Sequence, residues 1–276
     1  MTIQVMQKSD LELLLKKVQR KTVAGFLVES CVLRFKHYHL SVTSLVKDGV
    51  SSVARFTLDA HSHPWHEDLE VPVPSISHLL NVLKYHGQSI TLTYEADKLK
   101  IASGKKTTTL AASLRAKANS SSPDTLQEWL DKSLKIENKF KFSMRDKSSY
   151  TLDSGEINHA KISFPVDSTD FFEALRCDGI NGKKQGKYNF VFDEDGFHVD
   201  VGSEIHGHTR TTVCETNFGE SRSMTFEGGL EEVMKPVVGE VLLNLHHFPK
   251  RGKGAGEWGL LIAIDNTFIY QMSVNA

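Results

Sequence analysis

Cysteine is scarce in this chain of 276 residues: Cys31, Cys177 and Cys214 are the only three, and none stands in a CxxC spacing. That usage fits reduced, half-buried thiols of a cytosolic protein and excludes a disulfide framework. Long apolar runs are lacking too. Nothing approaches the roughly 20 residues a bilayer-crossing helix needs, and Met1 to Lys8 has no apolar core segment, so neither a membrane span nor a signal peptide is expected. Cytoplasm or nucleoplasm is the expected location. Net charge is also small, −1 from 33 Lys and Arg against 34 Asp and Glu, so no overall basic bias points to nucleic acid. Catalytic signatures are absent as well: the chain has no Walker A loop, nucleophile elbow or catalytic dyad, and no enzyme activity is expected. Gly254 to Gly259 spells GxGxxG, but a dinucleotide site needs that string between a strand and a helix, and here a strand follows.

What remains is an ordinary globular composition, 39% hydrophobic and 24% charged, sufficient for one large domain or two of usual size. One stretch organises the rest. Ile76, Leu79, Leu80 and Leu83 form an apolar helical stripe. Lys84 and His86 suit the negative end of the helix dipole, and Gly87 is the expected stop. The period then changes to two, with Ile90, Leu92 and Tyr94, a turn at Ala96-Asp97, and Leu99 and Ile101. The pattern recurs near the C-terminus. Leu230, Val233, Met234 and Val237 repeat the stripe, Gly239 stops it, and Val241 to Leu245, Leu260 to Ile264 and Phe268 to Tyr270 supply strands.

Each such unit is preceded by a helix and several strands. A first helix, capped by Ser9 or Asp10 and running to Thr22, buries Leu11, Leu14, Leu15 and Val18 and carries Lys16, Lys17, Arg20 and Lys21 outside. Strands follow at Phe26 to Val28, Val32 to Phe35, His39 to Thr43 and Val53 to Leu58. The second half has a strand at Ile162 to Val166 and a helix capped by Asp167 or Ser168 with Phe171, Phe172 and Leu175 inward. Arg176, Lys183, Lys184 and Lys187 come next, then strands at Tyr188 to Phe192, Phe197 to Val201 and Thr209 to Cys214. Between the halves, Asn119 to Pro123 reads as a flexible linker and Asp124 to Leu134 as a short helix, whose Trp129 either docks it onto its own sheet or, if exposed, marks a partner surface. The expected division is 1–115, a connector at 116–139, and 140–276.

This duplicated α+β order resembles the two-domain DNA sliding clamps of the proliferating-cell-nuclear-antigen family. The residues that carry the likeness are Leu40 to Leu45, Val53 to Leu58, Ile76 to Leu92 above all, and Leu260 to Val274. Departures are the extra residues around Asp146 to His159 and Lys250 to Trp258, Pro236 inside the last helix, and a loose C-terminal counterpart at Tyr270 to Val274. The resemblance implies a ring-shaped homotrimer that encircles duplex DNA, tethers a polymerase as processivity factor and needs no cofactor. A clamp loader is a further implied partner.

It also implies the sites. Channel-facing helices would place Lys16, Lys17, Arg20, Lys21, Lys84, Arg176, Lys183, Lys184 and Lys235 toward phosphates, with Glu231 and Glu232 offsetting the last. A pocket for a short hydrophobic peptide of the polymerase would use Leu45, Val46, Leu126, Trp129, Leu130, Tyr270, Met272 and Val274. Two alternatives stand beside it. One is a monomeric or dimeric processivity factor of the same fold that holds DNA by charge. The other is a metal-dependent enzyme using His61, His63 and His66 beside Glu67 and Asp68, although that cluster sits in a loop and has no HExxH register. No metal is assigned.

Overall fold

The computed structural model describes residues 2–19, 28–36, 39–48, 50–58, 68–117, 125–138, 140–141, 149–151, 155–178, 180, 186–203, 207–227, 230–248, 257–264 and 267–275. Strand β1 (Thr2–Gln7) runs directly into helix α1 (Lys8–Val18). The helix therefore begins before the expected Ser9 or Asp10 cap and has no side-chain cap. The strand ladder does the capping instead, since the Lys8 amide donates to the Gln88 carbonyl at 2.7 Å and so satisfies one of the orphan donors of the first turn. Gln19 leaves the helix with extended backbone, so α1 stops short of Thr22. Its predicted stripe of Leu11, Leu14, Leu15 and Val18 is fully buried.

Next come β2 (Cys31–Lys36), β3 (His39–Asp48), β4 (Val50–Leu58) and β5 (Leu69–Val73), then α2 (Ile76–Leu83), β6 (Ser89–Glu95), β7 (Lys98–Ser103) and β8 (Lys106–Ala111). They form two antiparallel sheets, ordered β1-β6-β7-β8 and β5-β2-β3-β4. Val28 lies just before β2, and Phe26 and Leu27 of the expected first strand lie outside the described residues. Strand β5 escapes a periodicity search because Pro72 sits in it, which a sheet edge tolerates. Ser75 caps α2 by accepting from the His78 amide, and the Glu29 carboxylate accepts from the Ser77 amide and hydroxyl at 3.2 and 2.7 Å. Ile76, Leu79 and Leu83 are buried and Leu80 only partly. The helix closes through Tyr85 and His86 amides bonded to the Val82 and Leu83 carbonyls, so Gly87, which lacks a left-handed φ, is not the stop. Ala96 and Asp97, at φ 48° and 58°, make the tight β6–β7 turn, held by the Ser113 hydroxyl donating to Asp97.

Helix α3 (Leu126–Glu137) lays Leu126, Trp129 and Leu130 against β2 and β3. The chain divides into two compact units, the first reaching Ile136 and the second taking Glu137–Ala276 together with Val46–Val53. The second opens with a three-stranded sheet of β9 (Phe140–Lys141), β10 (Ser149–Thr151) and β11 (Ile157–His159), the last two in the stretch the sequence marks as an insertion. It continues with β12 (Ile162–Asp167), α4 (Ser168–Arg176), β13 (Lys187–Phe192), β14 (Phe197–Ser203), β15 (Gly207–Cys214), β16 (Arg222–Glu227), α5 (Leu230–Met234), β17 (Glu240–Phe248), β18 (Glu257–Ile264) and β19 (Thr267–Asn275). Pro236 confines α5 to five residues, which leaves Val237 outside the helix and Lys235 in the turn that follows it. On α4 the inward residues are Phe171, Ala174 and Leu175, whereas Phe172 is half-buried. An aromatic core fills this unit, with Phe192 stacked on Phe197 at 4.7 Å and Phe164 edge-on to both.

Order and register make the duplication explicit. β1 pairs with β6 as β12 pairs with β17, and β2 with β5 as β13 with β16. Helices start immediately after Gln7 and Asp167, and Ser168 donates to the Gly239 carbonyl as Lys8 does to Gln88. Position by position, Leu11, Leu14 and Leu15 correspond to Phe171, Ala174 and Leu175, all fully buried. Each unit is itself two rounds of strand, helix and three strands, β1 to β4 and β5 to β8 in the first.

Candidate nucleic-acid interface

In the first unit α1 and α2 run antiparallel. The Gln19 amide nitrogen donates to Ser77 Oγ at 2.7 Å, joining the end of α1 to the start of α2, while Lys8 Nζ donates to the His86 carbonyl at 3.1 Å at the opposite end. Lys16 and Lys17 therefore lie near one end of the pair and Lys84 near the other. Lys16 and Lys84 are exposed, Lys17 half-buried. In the second unit Arg176 closes α4 and Lys235 follows α5, both exposed. Arg20, Lys21, Lys183 and Lys184 lie outside the described residues.

The duplicated register places Lys16 and Arg176 at matching positions, and likewise Lys84 and Lys235. The spacing was in the sequence, but the match needs the two strand pairings to count from. Charge nevertheless differs between the units. The span of α1 and of α2 with Lys84 holds four lysines against Asp10 and Glu12. The span of α4 and of α5 with Lys235 holds Arg176 and Lys235 against Asp170, Glu173, Glu231 and Glu232. Glu173 sits 3.1 Å from Arg176, both well exposed, which tempers that cation without neutralising its field in water.

Of the anticipated peptide pocket, Leu126, Trp129 and Leu130 come together, but as buried residues at 0, 6 and 2% exposure. With Ser30, Cys31, Val32, Thr43 and Ser44 they line a small crevice beneath α3. Trp129 thus anchors the connector to its own sheet. Leu45 and Val46 are on β3 and Tyr270, Met272 and Val274 on β19, and their side chains lie outside the described residues.

Two of the described histidines, His86 and His198, are tied into the fold by hydrogen bonds. His86, placed by the sequence where a helix dipole would favour its cation, is buried, and its rings nitrogens meet Ser103 Oγ and Thr108 Oγ1, each at 2.9 Å. Burial, helped by Lys106 and Lys8, lowers its pKa and favours the neutral ring. His198 pairs with Asp193 at 3.0 Å, and this hydrogen bond is the main cause holding the Asp193 carboxyl below its usual range. Asp193 in turn accepts from the Asp195 and Gly196 amides and so shapes the β13–β14 turn. Among the described residues no three His, Cys, Asp or Glu are grouped to hold a metal ion. His61, His63 and His66 lie outside them. No helix among the described residues is long and apolar enough to cross a membrane.

Two units of antiparallel sheet, each backed by a helix pair with exposed cations at matched places, define a duplicated clamp-type scaffold. Solved structures agree. A DNA polymerase sliding clamp from Pseudomonas aeruginosa superposes with a TM-score of 0.61 at 14% identity, over 100% of this chain and 67% of its own. The DNA polymerase III beta subunit of Thermotoga maritima gives 0.64 at 14% identity, over 100% and 66%. The A. fulgidus PCNA, solved with the C-terminal region of FEN-1, gives 0.56 at 14%, over 99% and 97%. This chain has the DNA sliding-clamp fold. It spans about two thirds of the bacterial subunits and nearly all of the PCNA chain. No protein-family profile and no curated protein sequence matches it.

Proposed function

We propose that the protein is a DNA sliding clamp, a non-enzymatic processivity factor that closes as a homotrimer around duplex DNA and tethers a polymerase. The observation that carries this reading is the recurrence of exposed Lys16 and Arg176, and of Lys84 and Lys235, at matched places on two repeated helix pairs. Three copies would present the pattern six times around a channel. Flexible cations at phosphates hold the duplex without reading bases, so the ring slides. Arg20, Lys21, Lys17, Lys183 and Lys184 would add to this lining. A partner's short hydrophobic peptide would be bound by the residues the resemblance implies, Leu45, Val46, Tyr270, Met272 and Val274, with Leu126, Trp129 and Leu130 fixing the position of α3.

Ring closure needs two complementary surfaces per copy. Strands β5 and β12 end their sheets but carry Pro72 and Pro165, which deny a donor to an incoming strand. The edge strands β8 and β15 are threonine-rich and free of proline. In our reading they pair head to tail between copies. In β8 the Ala112 amide donates to the Asp97 carbonyl, so by alternation Thr108 and Leu110 point their amides to β7 and Thr109 points its amide outward. Thr109→Pro should therefore block association while leaving the β7 ladder intact.

The test is native mass by light scattering over a wide concentration range, followed by retention on nicked circular DNA before and after linearisation. A three-subunit species that stays on circles in high salt and leaves after cutting is expected, and Thr109→Pro should abolish it. A persistent monomer whose binding falls steeply with salt on circles and linear DNA alike would refute encirclement in favour of a factor held by charge.

A further inference from the structure

The end of α2 carries more charge than its place in the fold requires. Lys106 Nζ donates to the Tyr85 carbonyl at 3.0 Å, Lys8 Nζ to the His86 carbonyl at 3.1 Å and Lys84 Nζ to Asn81 Oδ1 at 2.9 Å. All three acceptors are neutral oxygens, so the positive charges remain uncompensated by them. Exposed Lys105, on the β7–β8 turn, adds a fourth. Asp10 is the one acid within 8–10, 84–89 and 103–108. Beside these lysines Tyr85 is 74% exposed, among the most exposed large apolar residues described.

The second unit serves as an internal control. Its register matches Lys8 with Ser168, Tyr85 with Pro236, His86 with Val237 and Lys106 with Thr267. There the Ser168 hydroxyl donates to the Val237 carbonyl at 3.3 Å, the position Lys8 serves in the first unit. A hydroxyl therefore suffices to satisfy that carbonyl. An ammonium is not needed at that bond, and Lys8, Tyr85 and Lys106 stand against Ser168, Pro236 and Thr267 in the second unit, where of these groups only Lys84 meets a cation, Lys235.

We propose that this corner binds single-stranded nucleic acid, one unpaired base stacking on Tyr85 while flanking phosphates meet Lys84, Lys105 and Lys106. An exposed ring among lysines matches the stacking platform and basic track of single-strand binders. A duplex keeps its base faces inside the stack, and an acidic peptide has no base to lay on the ring. The inference builds on the clamp reading, since a protein riding duplex DNA at a synthesis site meets the unpaired template strand.

Fluorescence anisotropy with labelled oligothymidylate and with a duplex of equal length tests it, using the full chain and the variants Tyr85→Ala, Tyr85→Phe and Lys105→Gln. Tyr85→Ala should weaken single-strand binding about 10-fold and leave the duplex unaffected, whereas Tyr85→Phe keeps the wild-type affinity. Lys105→Gln should lower the slope of log affinity against log salt by about 0.7 on the single strand. Unchanged single-strand binding by Tyr85→Ala, or equal loss on both DNAs, would overturn the proposal. So would polyglutamate binding tighter than oligothymidylate with the same dependence on Tyr85. Retention of the wild type on nicked circles, measured in parallel, separates the two ideas. Retention with no Tyr85 effect sinks only this site, and a Tyr85 effect without retention sinks only the ring.

Discussion

Acid should destabilise the second unit through one residue, His246. Its ring is fully buried on β17 and stacks on Phe248 at 6.2 Å and 17°. Burial drives its pKa from 6.5 down to about 4, with His159 adding to the shift and the backbone hydrogen bond to Asn158 opposing it. The folded state thus keeps a neutral imidazole where the unfolded chain takes up a proton. Because the unfolded state binds more protons across this window, stability falls as the pH drops from about 6.5 to about 4 and then levels off for this group. One unit of pKa difference is worth about 1.4 kcal/mol, so the whole window amounts to about 3 kcal/mol at most. His246→Gln cannot titrate. Urea unfolding of both proteins from pH 7.5 to 4, at one fixed protein concentration, cancels every other titrating group in the difference. The stability advantage of the wild type over His246→Gln should shrink by about 3 kcal/mol over that range. Parallel pH profiles for the two proteins would refute the reasoning.

Further outcomes follow from the duplicated core and its charges. Phe171 is fully buried with its ring 5.7 Å from that of Phe190 and 6.1 Å from that of Phe197. Phe171→Ala should cost about 3–5 kcal/mol, read as a lower denaturation midpoint of the second unit. On short duplex DNA, Lys16→Gln should reduce the salt slope by about 0.9, the share of one phosphate contact. The matched Arg176→Gln should reduce it less, because Glu173 stands 3.1 Å away, and Glu173→Gln should tighten binding. Equal slopes for the two cation variants would show that the pair with Glu173 has no electrostatic consequence.

Much of the fold was legible in the sequence. The stripes of α1, α2 and α4, the Ala96-Asp97 turn and the strands β13, β14, β17 and β18 rest on local periodicity. Such patterns survive because each element buries one face of its own. Misreadings gathered where a distant partner replaced a local signal. The Gln88 carbonyl, 80 positions away, starts α1 without a cap residue; the end of α2 is a different case, closed locally by the Val82 and Leu83 carbonyls before Gly87. Strands β1, β5 and β16 went unseen because their place is set by pairing with β6, β2 and β13. The basic residues Lys8 and Lys106 were passed over for the same reason, standing 98 positions apart yet both bonded to the end of α2.

The sequence by itself determined that this is a duplicated α+β chain, since hydrophobic period and turn chemistry act over a few residues and are written in order along the chain. Only the tertiary structure decided which cations match, that Trp129 is an anchor and not a free surface, and that Tyr85 stands among lysines. Those facts depend on the register between strands far apart in sequence. That register is set by which side chains fit together in the core, a property no local stretch contains.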